Sequence, residues 1–470
     1  MPGSVSPPTA PRLTAPLAPM PPGNLVWGHL VQRARRPLGL CVDSQASHGD
    51  VVRYRMGSTY VNQVTHPDGM QHVLVDARSR YVKGTVFDKT RPMLGNGLLN
   101  SEGEEWKHQR RRLQPAFGHR QLDTLAETMT AAIDGVLKEW KSVADSGEPL
   151  QLFPALEHLT LTVVLRSLLG GDLDRNAADI GDAFSVAFDV TNRRIRSVAP
   201  YWPRMYDLPT PANRSFHRAQ GTLDGLVAEV VARRRGAGSD SQPDDLLGLM
   251  ISAAGADVDG GNSQELHDQV MTMVSAGHET TATALTWLFY LLDRHPDVNE
   301  EVFVEVEEVL GDRMPTAADL PKLGYLRRVV QETLRLYPSV WALPRLAVED
   351  DEIGGYRIPR GDIVLLVPYV THRHPDFWSN PDEFDPDRFL PAARQDAHLW
   401  SYIPFGSGPR RCIGDNFAMM EAQLILAMVT QRFRLRGLSD EPVEADASVT
   451  LRPRGPVPMQ IEPLGAPHLG

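Results

Sequence analysis

The sequence contains only two cysteines, Cys41 and Cys412, in 470 residues. With only two thiols we expect no disulfide framework, and such low cysteine usage is typical of a protein that works in a reducing compartment. We therefore expect a cytoplasmic location. We interpret Cys41 as an incidental thiol, whereas the residues around Cys412 form an unusual pattern.

Positive charge and long apolar runs are also scarce. The chain has 48 Lys and Arg against 59 Asp and Glu, a formal charge of −11. This balance argues against a nucleic-acid partner, because such binding depends on cations that neutralise phosphates. Residues 1–23 are rich in proline and have no run near the ~20 apolar residues that a membrane-spanning helix needs. They also lack the basic start and apolar centre of a signal peptide, so we expect no membrane anchor.

The chain is nevertheless long and apolar enough to form a large core. Hydrophobic residues make up 42% of it, and no linker divides the body. We expect a proline-rich N-terminal segment at residues 1–23, mobile or extended, followed by a single domain over residues 24–465.

Periodicity predicts a mainly α fold with a smaller β portion. The expected elements are a strand pair at 50–56 and 59–65, a basic helix at 104–114, a long helix at 263–294, a helix at 326–337, short strands within 345–369, a long coil at 375–411, a helix at 416–429 and a short hairpin at 449–461. Ordered coils as long as the one at 375–411 are often functional.

The end of this coil carries the most informative pattern, FGSGPRRCIG at residues 405–414. Glycines flank Cys412 and two arginines precede it. Nearby cations favour a thiolate, and backbone amides approach a sulfur closely only where side chains are absent. A thiolate held in this way is a suitable single protein ligand for a heme iron.

The loop resembles the heme-ligand signature of the cytochrome P-450 superfamily, FxxGxRxCxG, which Phe405, Gly408, Arg410, Cys412 and Gly414 match at every fixed position. The resemblance implies the P-450 fold, a triangular helical prism with a long central helix over the heme, and heme b as the cofactor. It implies that Cys412 is the axial ligand of the iron, that Arg410 binds a heme propionate and that Phe405 packs beside the loop.

The centre of the predicted long helix is chemically odd. Residues 276–281, AGHETT, place a glycine, a carboxylate and two hydroxyls inside a helix, where local rules are broken mainly at functional sites. The segment resembles the family's oxygen-activation motif, (A/G)Gx(D/E)T(T/S). The resemblance implies that Ala276 and Gly277 leave room for dioxygen, and that Glu279 and Thr280 deliver the protons that O–O cleavage requires.

Two further motifs involve charged side chains that would be buried. Glu332 and Arg335 stand three apart on one helical face and resemble the family's ExxR motif. Arg388 lies in a segment, PDRF at 386–389, that resembles its usual third member. Buried charges persist only when they are paired. The resemblance implies a structural network that holds the coil ahead of the ligand loop.

Other cations resemble family positions at the heme edge. Trp106 and Arg110 match a W-x-x-x-R pattern used at the heme propionates, and their N–H groups suit carboxylates. Arg345 stands where relatives place another propionate-binding arginine. Arg111 and Arg112 belong either to a solvated basic face or to a docking patch for an acidic electron-transfer partner.

The resemblance implies a soluble heme-thiolate monooxygenase that inserts one oxygen atom from O2 into a hydrophobic small molecule, such as a terpenoid, fatty acid, steroid or polyketide. Residues 83–100, 184–205, 339–343 and 448–450 would line its apolar pocket. We expect no fused reductase domain, so electrons would come from a ferredoxin or flavodoxin with an NAD(P)H-dependent reductase.

Two alternatives stay open at this point. One is a peroxide-using heme enzyme, which the intact Glu279–Thr280 pair disfavours. The other is a heme-binding sensor or carrier without turnover, for which the oxygen motif would have no purpose.

Overall fold

The computed structural model describes residues 14–84, 87–170, 177–196, 206–236, 245–254 and 263–464. Helices dominate this part of the chain. In chain order they are α1 Leu30–Arg35, α2 Pro37–His48, α3 Pro67–Gln71, α4 Arg91–Leu94, α5 Gly103–Leu113, α6 His119–Ser146, α7 Leu152–Leu169, α8 Ala177–Arg196, α9 Pro211–Gly236, α10 Leu246–Ala254, α11 Ser263–Arg294, α12 Pro296–Leu310, α13 Gly324–Leu336, α14 Pro368–Thr371 and α15 Asp415–Thr430.

The strands are short and lie at the side of the helical body. They are β1 Val51–Met56, β2 Thr59–Val64, β3 Tyr81–Val82, β4 Leu150–Gln151, β5 Leu343–Ala347, β6 Asp351–Ile353, β7 Tyr356–Ile358, β8 Ile363–Leu366, β9 Phe433–Gly437, β10 Ala445–Ala447, β11 Leu451–Pro453 and β12 Pro458–Pro463. The predicted class, mainly α with a smaller β portion, is confirmed.

The largest sheet has the strand order β1-β2-β8-β5-β3. β1 and β2 are antiparallel, with Val51 opposite Val64, and they turn at Gly57, whose φ of 67° suits a residue without a side chain. β8 is parallel to β2 and antiparallel to β5. The predicted strand pair and the predicted strands after residue 345 are both confirmed.

The predicted hairpin at 449–461 is wrong. β11 pairs with β10, which precedes it, whereas β12 pairs with β9 and β4 in a separate sheet. Both segments are extended, but each finds its partner elsewhere, because alternation along a strand does not specify the strand that pairs with it.

The long helix α11 has the predicted bounds and crosses the middle of the molecule. It packs against α7, α13 and α15, and its residues Leu285, Trp287 and Leu288 are at most 1% exposed. α7 is long and apolar enough to cross a membrane by length and composition, but 61% of its window is buried inside the protein. It is a core helix, because its apolar surface already contacts other helices.

Residues 14–23 run along the largest sheet and its neighbours as an extended strip. The Pro19 carbonyl accepts a 2.9 Å hydrogen bond from Arg53 N, and the Pro16 carbonyl accepts one of 2.8 Å from Arg357 N. Ala18 is 5% exposed and packs among the residues of this sheet. The strip therefore follows the domain surface from residue 14, the first described residue, to residue 23.

Candidate active site

The loop before α15 is held by two glycines with left-handed backbones. Gly406 and Gly408 have φ values of 66° and 67°. A Cβ at Gly408 would lie 2.4 Å from the Leu74 carbonyl oxygen, so a side chain there would push the loop off the chain that supports it. These glycines fix the path that leads to Cys412.

Cys412 stands at the end of this turn. Its N–H donates to the Phe405 carbonyl at 3.0 Å, so Phe405 lies beside the loop. The residue is exposed, yet nearby protein atoms raise the pKa of its thiol by desolvation, while a Gly414 hydrogen bond, Arg110 and Arg411 act in the opposite direction. Metal binding would remove this proton, since the thiolate is the form that binds metals.

Arg110 from α5 braces the ligand loop directly. Its Nη1 donates to the Arg411 carbonyl at 2.8 Å, and its Nε donates to Gln114 Oε1 at 2.8 Å. Arg411 in turn pairs with Asp415 at 2.6 Å, at the first turn of α15. Part of the Arg110 guanidinium is therefore committed to holding the backbone next to Cys412.

Arg410 and Trp106, which the sequence places 304 positions apart, are stacked on each other. The Arg410 guanidinium lies 3.9 Å from the centre of the Trp106 ring. It also donates to the Ser101 carbonyl at 2.9 Å and forms an ion pair with Glu102. The Trp106 ring thus positions the guanidinium by a cation–π contact.

Two further cations join Arg410 around Glu102. Desolvation, followed by repulsion from Arg410, lowers the pKa of Arg345 to about 10. Desolvation and repulsion from Arg410 and Arg345 lower the pKa of Lys83 to about 7, and its ammonium group donates to the Leu99 carbonyl. Glu102 therefore pairs with Arg410 and has two further basic side chains, Arg345 and Lys83, in its surroundings, so basic groups outnumber the carboxylate there.

This donor set fits a heme. An excess of partly buried basic groups suits a ligand that carries two carboxylates, and the exposed thiol suits an iron ion. Lys83 and Glu102 were missed by the sequence reasoning, because neither belongs to a motif. In the sequence, a lysine that is partly buried in a loop cannot be distinguished from one that is exposed to solvent.

One residue at the centre of α11, Ala276, is exposed. Ser275 before it and His278 after it are buried. Gly277, by contrast, faces α7, where an added Cβ would lie 2.8 Å from Val164 Cγ2. Of the two small residues expected to leave room for dioxygen, Ala276 has the open side, whereas Gly277 allows two helices to pack closely.

The hydroxyls of this segment bond back to the helix. Thr280 Oγ1 donates to the Ala276 carbonyl at 2.7 Å, and Thr281 Oγ1 donates to the Gly277 carbonyl at 3.0 Å. Ser339 Oγ donates to the Thr280 carbonyl at 2.7 Å. Such bonds loosen the backbone ladder locally, so Thr280 is kept beside the open side of Ala276.

Glu279 points away from Thr280, toward β11. Its Oε1 accepts a 2.5 Å hydrogen bond from Arg452 Nε and another from Thr450 Oγ1. The carboxylate is 1% exposed, and its Oε2 has no hydrogen-bond partner in the described part of the chain. Glu279 and Thr280 are therefore neighbours along the chain, but their polar atoms point in different directions.

The predicted charge network is confirmed. Arg335 Nε and Nη2 donate to the two Glu332 oxygens at 2.6 and 2.8 Å, and both side chains are fully buried. Arg388 lies 3.4 Å from Glu332. Arg335 also donates to the carbonyls of His372 and Glu383 at 2.9 Å each. The network fixes the coil that leads to the ligand loop.

The apolar residues expected to line the pocket are only partly free to do so. The Phe184 and Phe188 rings pack against His278, with centroids 5.0 and 5.4 Å from its ring. Trp341 donates to the Ser448 carbonyl at 3.0 Å and is 8% exposed. The residues of both regions therefore belong to the packed core as well as to the expected pocket. Residues 85–86 and 197–205 lie outside the described residues.

Comparison with known proteins agrees with this arrangement. The model of the family described as Cytochrome P-450 matches residues 18–459. The chain is 38% identical to cyclooctatin synthase of Streptomyces melanosporofaciens over 94% of this chain and 95% of the relative. It is 35% identical to pentalenene oxygenase of Streptomyces avermitilis over 90% and 91%.

Solved structures give the same result. The crystal structure of the cytochrome P450DA heme domain superposes with a TM-score of 0.85 at 28% identity, covering 96% of this chain and 98% of that one. Retinoic acid-bound cyanobacterial CYP120A1 gives 0.83 at 25% identity, with 96% and 100% covered.

The fold and site define a heme-thiolate monooxygenase that acts on hydrophobic small molecules, with heme b as its cofactor. The chain belongs to the cytochrome P-450 family, and the two Streptomyces relatives named above are bacterial.

Proposed function

We propose that this enzyme hydroxylates a cyclic terpenoid. Among the hydrophobic classes that the sequence left open, this is the one that the names of similar proteins favour: pentalenene oxygenase and cyclooctat-9-en-7-ol 5-monooxygenase. The reaction converts the substrate, O2, two electrons and two protons into an alcohol and water, so one oxygen atom enters a C–H bond and the other leaves as water.

We propose that Cys412 would bind the heme iron and that Arg410, Arg345 and Lys83 would bind the two cofactor carboxylates. The observation that carries this assignment is the excess positive charge around Glu102. Trp106 orients Arg410, while Arg110 and Phe405 hold the ligand loop. When bound, the heme supplies the redox centre at which dioxygen is activated.

Thr280 and Glu279 are proposed to supply the two protons. Thr280 lies at the open side of α11, where its hydroxyl donates to the Ala276 carbonyl. Glu279 is the buried acid behind it and is held by Arg452 and Thr450. Ordered water between the two side chains would connect them, since their polar atoms point in different directions.

Electrons are proposed to come from a separate ferredoxin or flavodoxin in the cytoplasm. The α5 helix that braces the ligand loop carries Arg111, which is exposed, and Arg112, which pairs with Glu265 at 3.6 Å. An exposed cation beside the ligand loop is suited to steering an acidic partner toward it.

The proposed activity is tested with holoenzyme, a surrogate ferredoxin and reductase, NADPH and a panel of cyclic sesquiterpenes and diterpenes. Fatty acids and steroids form the comparison panel. We expect a terpene to shift the Soret band and to give an alcohol that carries one labelled atom from ¹⁸O2. Products formed only from fatty acids or steroids would contradict the substrate class. Turnover with hydrogen peroxide alone, or no turnover with any ligand, would contradict the reaction.

A further inference from the structure

Three consecutive large apolar side chains project from the N-terminal part of the domain. Leu25, Val26 and Trp27 are 94%, 68% and 60% exposed. Isolated exposed apolar residues are ordinary in proteins, but a contiguous group of this kind marks an interaction site. Val31, on the helix that follows, is also an exposed apolar residue, at 45%.

The turn that carries them is fixed in place. Asn24 Oδ1 accepts hydrogen bonds from the N–H groups of Val26 at 2.9 Å and Trp27 at 3.0 Å. Asn24 and Gly28 exchange two backbone hydrogen bonds of 2.9 Å. Arg55 Nη2 donates to the Asn24 carbonyl at 2.8 Å. The side chains are therefore presented by an ordered turn, which reduces the entropy lost when they bind something.

The backbone of this turn also sits tightly on β1. Gly28 has a φ of 59°, and a Cβ there would lie 2.1 Å from the Arg55 carbonyl oxygen. The turn is thus attached to the largest sheet, and its apolar tip points outward.

Positive charge surrounds the apolar tip. Residues 1–42 contain four arginines, Arg12, Arg33, Arg35 and Arg36, and no Asp, Glu or Lys, in a chain whose formal charge is −11. α1 has no buried residue. Arg35 and Arg36 are exposed, and neither has an ion pair within the described ranges.

We propose that residues 24–36, the N-terminal tip, dock on an anionic lipid surface. Leu25, Val26 and Trp27 would enter the interface, and Arg35 and Arg36 would lie against phosphate headgroups. Tryptophan is enriched at this depth because its ring is apolar and its N–H is polar. Basic residues beside an apolar insertion are what reversible binding to anionic lipid requires.

The shape of the tip favours a lipid over an acidic protein. The three apolar side chains stand on a convex turn rather than in a groove, and Leu25 is almost fully exposed. A protein partner would need a matching pocket, whereas a bilayer interface accepts a convex apolar tip without one. An enzyme docked in this way would meet apolar substrates where they concentrate.

The test uses the full-length holoenzyme and vesicles of phosphatidylcholine with or without phosphatidylglycerol, in a flotation assay. We expect binding to the anionic vesicles that weakens as salt is raised. The triple variant L25S/V26S/W27S should lose binding by at least ~10-fold, since its insertion is removed. The variant R35Q/R36Q should lose the preference for anionic vesicles. Leu399→Ser, which alters a side chain 77% exposed elsewhere, is the matched control and should bind normally.

All variants should keep the heme content and thermal midpoint of the wild type, because the altered side chains are exposed. Wild-type binding that is equal for neutral and anionic vesicles, or unchanged in the triple variant, would overturn the proposal. The proposal would also be overturned if no form of the enzyme bound vesicles and the triple variant instead lost binding to an acidic ferredoxin or lost self-association.

Discussion

Arg452 Nε donates a 2.5 Å hydrogen bond to the Glu279 carboxylate and so ties the acid of the central helix to β11. Thr450, two residues earlier, donates to the same oxygen. Arg452 also lies 3.9 Å from a second carboxylate, Glu157, and 5.0 Å from the Phe153 ring. The acid proposed to supply protons is thus held by a cation that two carboxylates share.

Replacing Arg452 with Met should destabilise the protein by roughly 3 kcal/mol, because it leaves Glu279 as a buried charge without its partner. The double variant R452M/E279Q should recover much of this loss. Equilibrium urea unfolding of the two single variants and the double variant measures the coupling.

Arg454→Met is the matched control. Arg454 pairs with Glu444 at 2.6 Å, but both side chains are more than half exposed. Its loss should cost less than about 1 kcal/mol. Equal costs for R452M and R454M would show that the Glu279 pair does not stabilise the fold.

Thr280→Ala should uncouple electron use from product formation. The hydroxyl at the open side of α11 is removed, so proton delivery slows, and reducing equivalents are lost to peroxide. We expect the product formed per NADPH to fall on the order of tenfold. Thr286→Ala is the control, since Thr286 Oγ1 makes an equivalent 2.7 Å bond to the Ala282 carbonyl in the buried part of α11. Coupling that is the same in T280A and T286A would refute the assigned role.

Glu157 should make the stability of the protein depend on pH. Desolvation, helped by repulsion from Glu279 and Asp189 and opposed by Arg452, raises its pKa from 4.5 to about 7. The folded state therefore binds this proton more tightly than the unfolded state, and the free energy of unfolding falls as pH rises from 4.5 to about 7.

Glu157→Gln removes that dependence. The free energy of unfolding of the variant, measured relative to that of wild type, should rise by on the order of 1 kcal/mol between pH 5 and pH 8. This figure allows for the partial solvent exposure of the carboxylate. Unfolding measured at both pH values for both proteins gives the difference. Parallel pH dependences would contradict the raised pKa.

Lys83→Gln should weaken cofactor retention. One of the three cations around Glu102 is lost, and the transfer of heme to apomyoglobin should accelerate roughly tenfold, since each charge-assisted hydrogen bond contributes about 1.5–3 kcal/mol. Lys138→Gln is the control, because its side chain is 73% exposed and pairs with Asp134.

A second readout follows from the low pKa of Lys83. Two incoming carboxylates would raise this pKa above about 7, so Lys83 should take up a proton when the apoprotein binds heme near pH 8. The Cys412 thiol loses its proton in the same reaction in both proteins, so in weakly buffered solution K83Q should release more acid than wild type. Equal pH changes for the two proteins would show that Lys83 does not bind the heme carboxylates.

The sequence was sufficient for features whose parts are close together along the chain. The ligand loop, the AGHETT turn and the Glu332–Arg335 pair each lie within ten residues, so spacing alone sets their geometry. Arg388 could also be placed, because it lies in a segment of its own pattern, and it is 3.4 Å from Glu332.

Features assembled from distant segments were not predicted. Arg452 and Thr450 reach Glu279 across more than 170 positions, and Lys83 meets Arg345 and Arg410 only through tertiary packing. The failed hairpin has the same cause, since β12 met β9 rather than its neighbour β11. Residue type and periodicity define an element, but the choice of its partner depends on the whole fold.

The central claim is that one sulfur, Cys412, binds the heme iron. The most direct test is the absorption spectrum of the reduced holoenzyme under carbon monoxide, compared with that of Cys412→Ser. The account predicts the red-shifted Soret band of thiolate ligation in the wild type and its loss in the variant. A wild-type spectrum typical of nitrogen-ligated iron, or the same spectrum in both proteins, would contradict it.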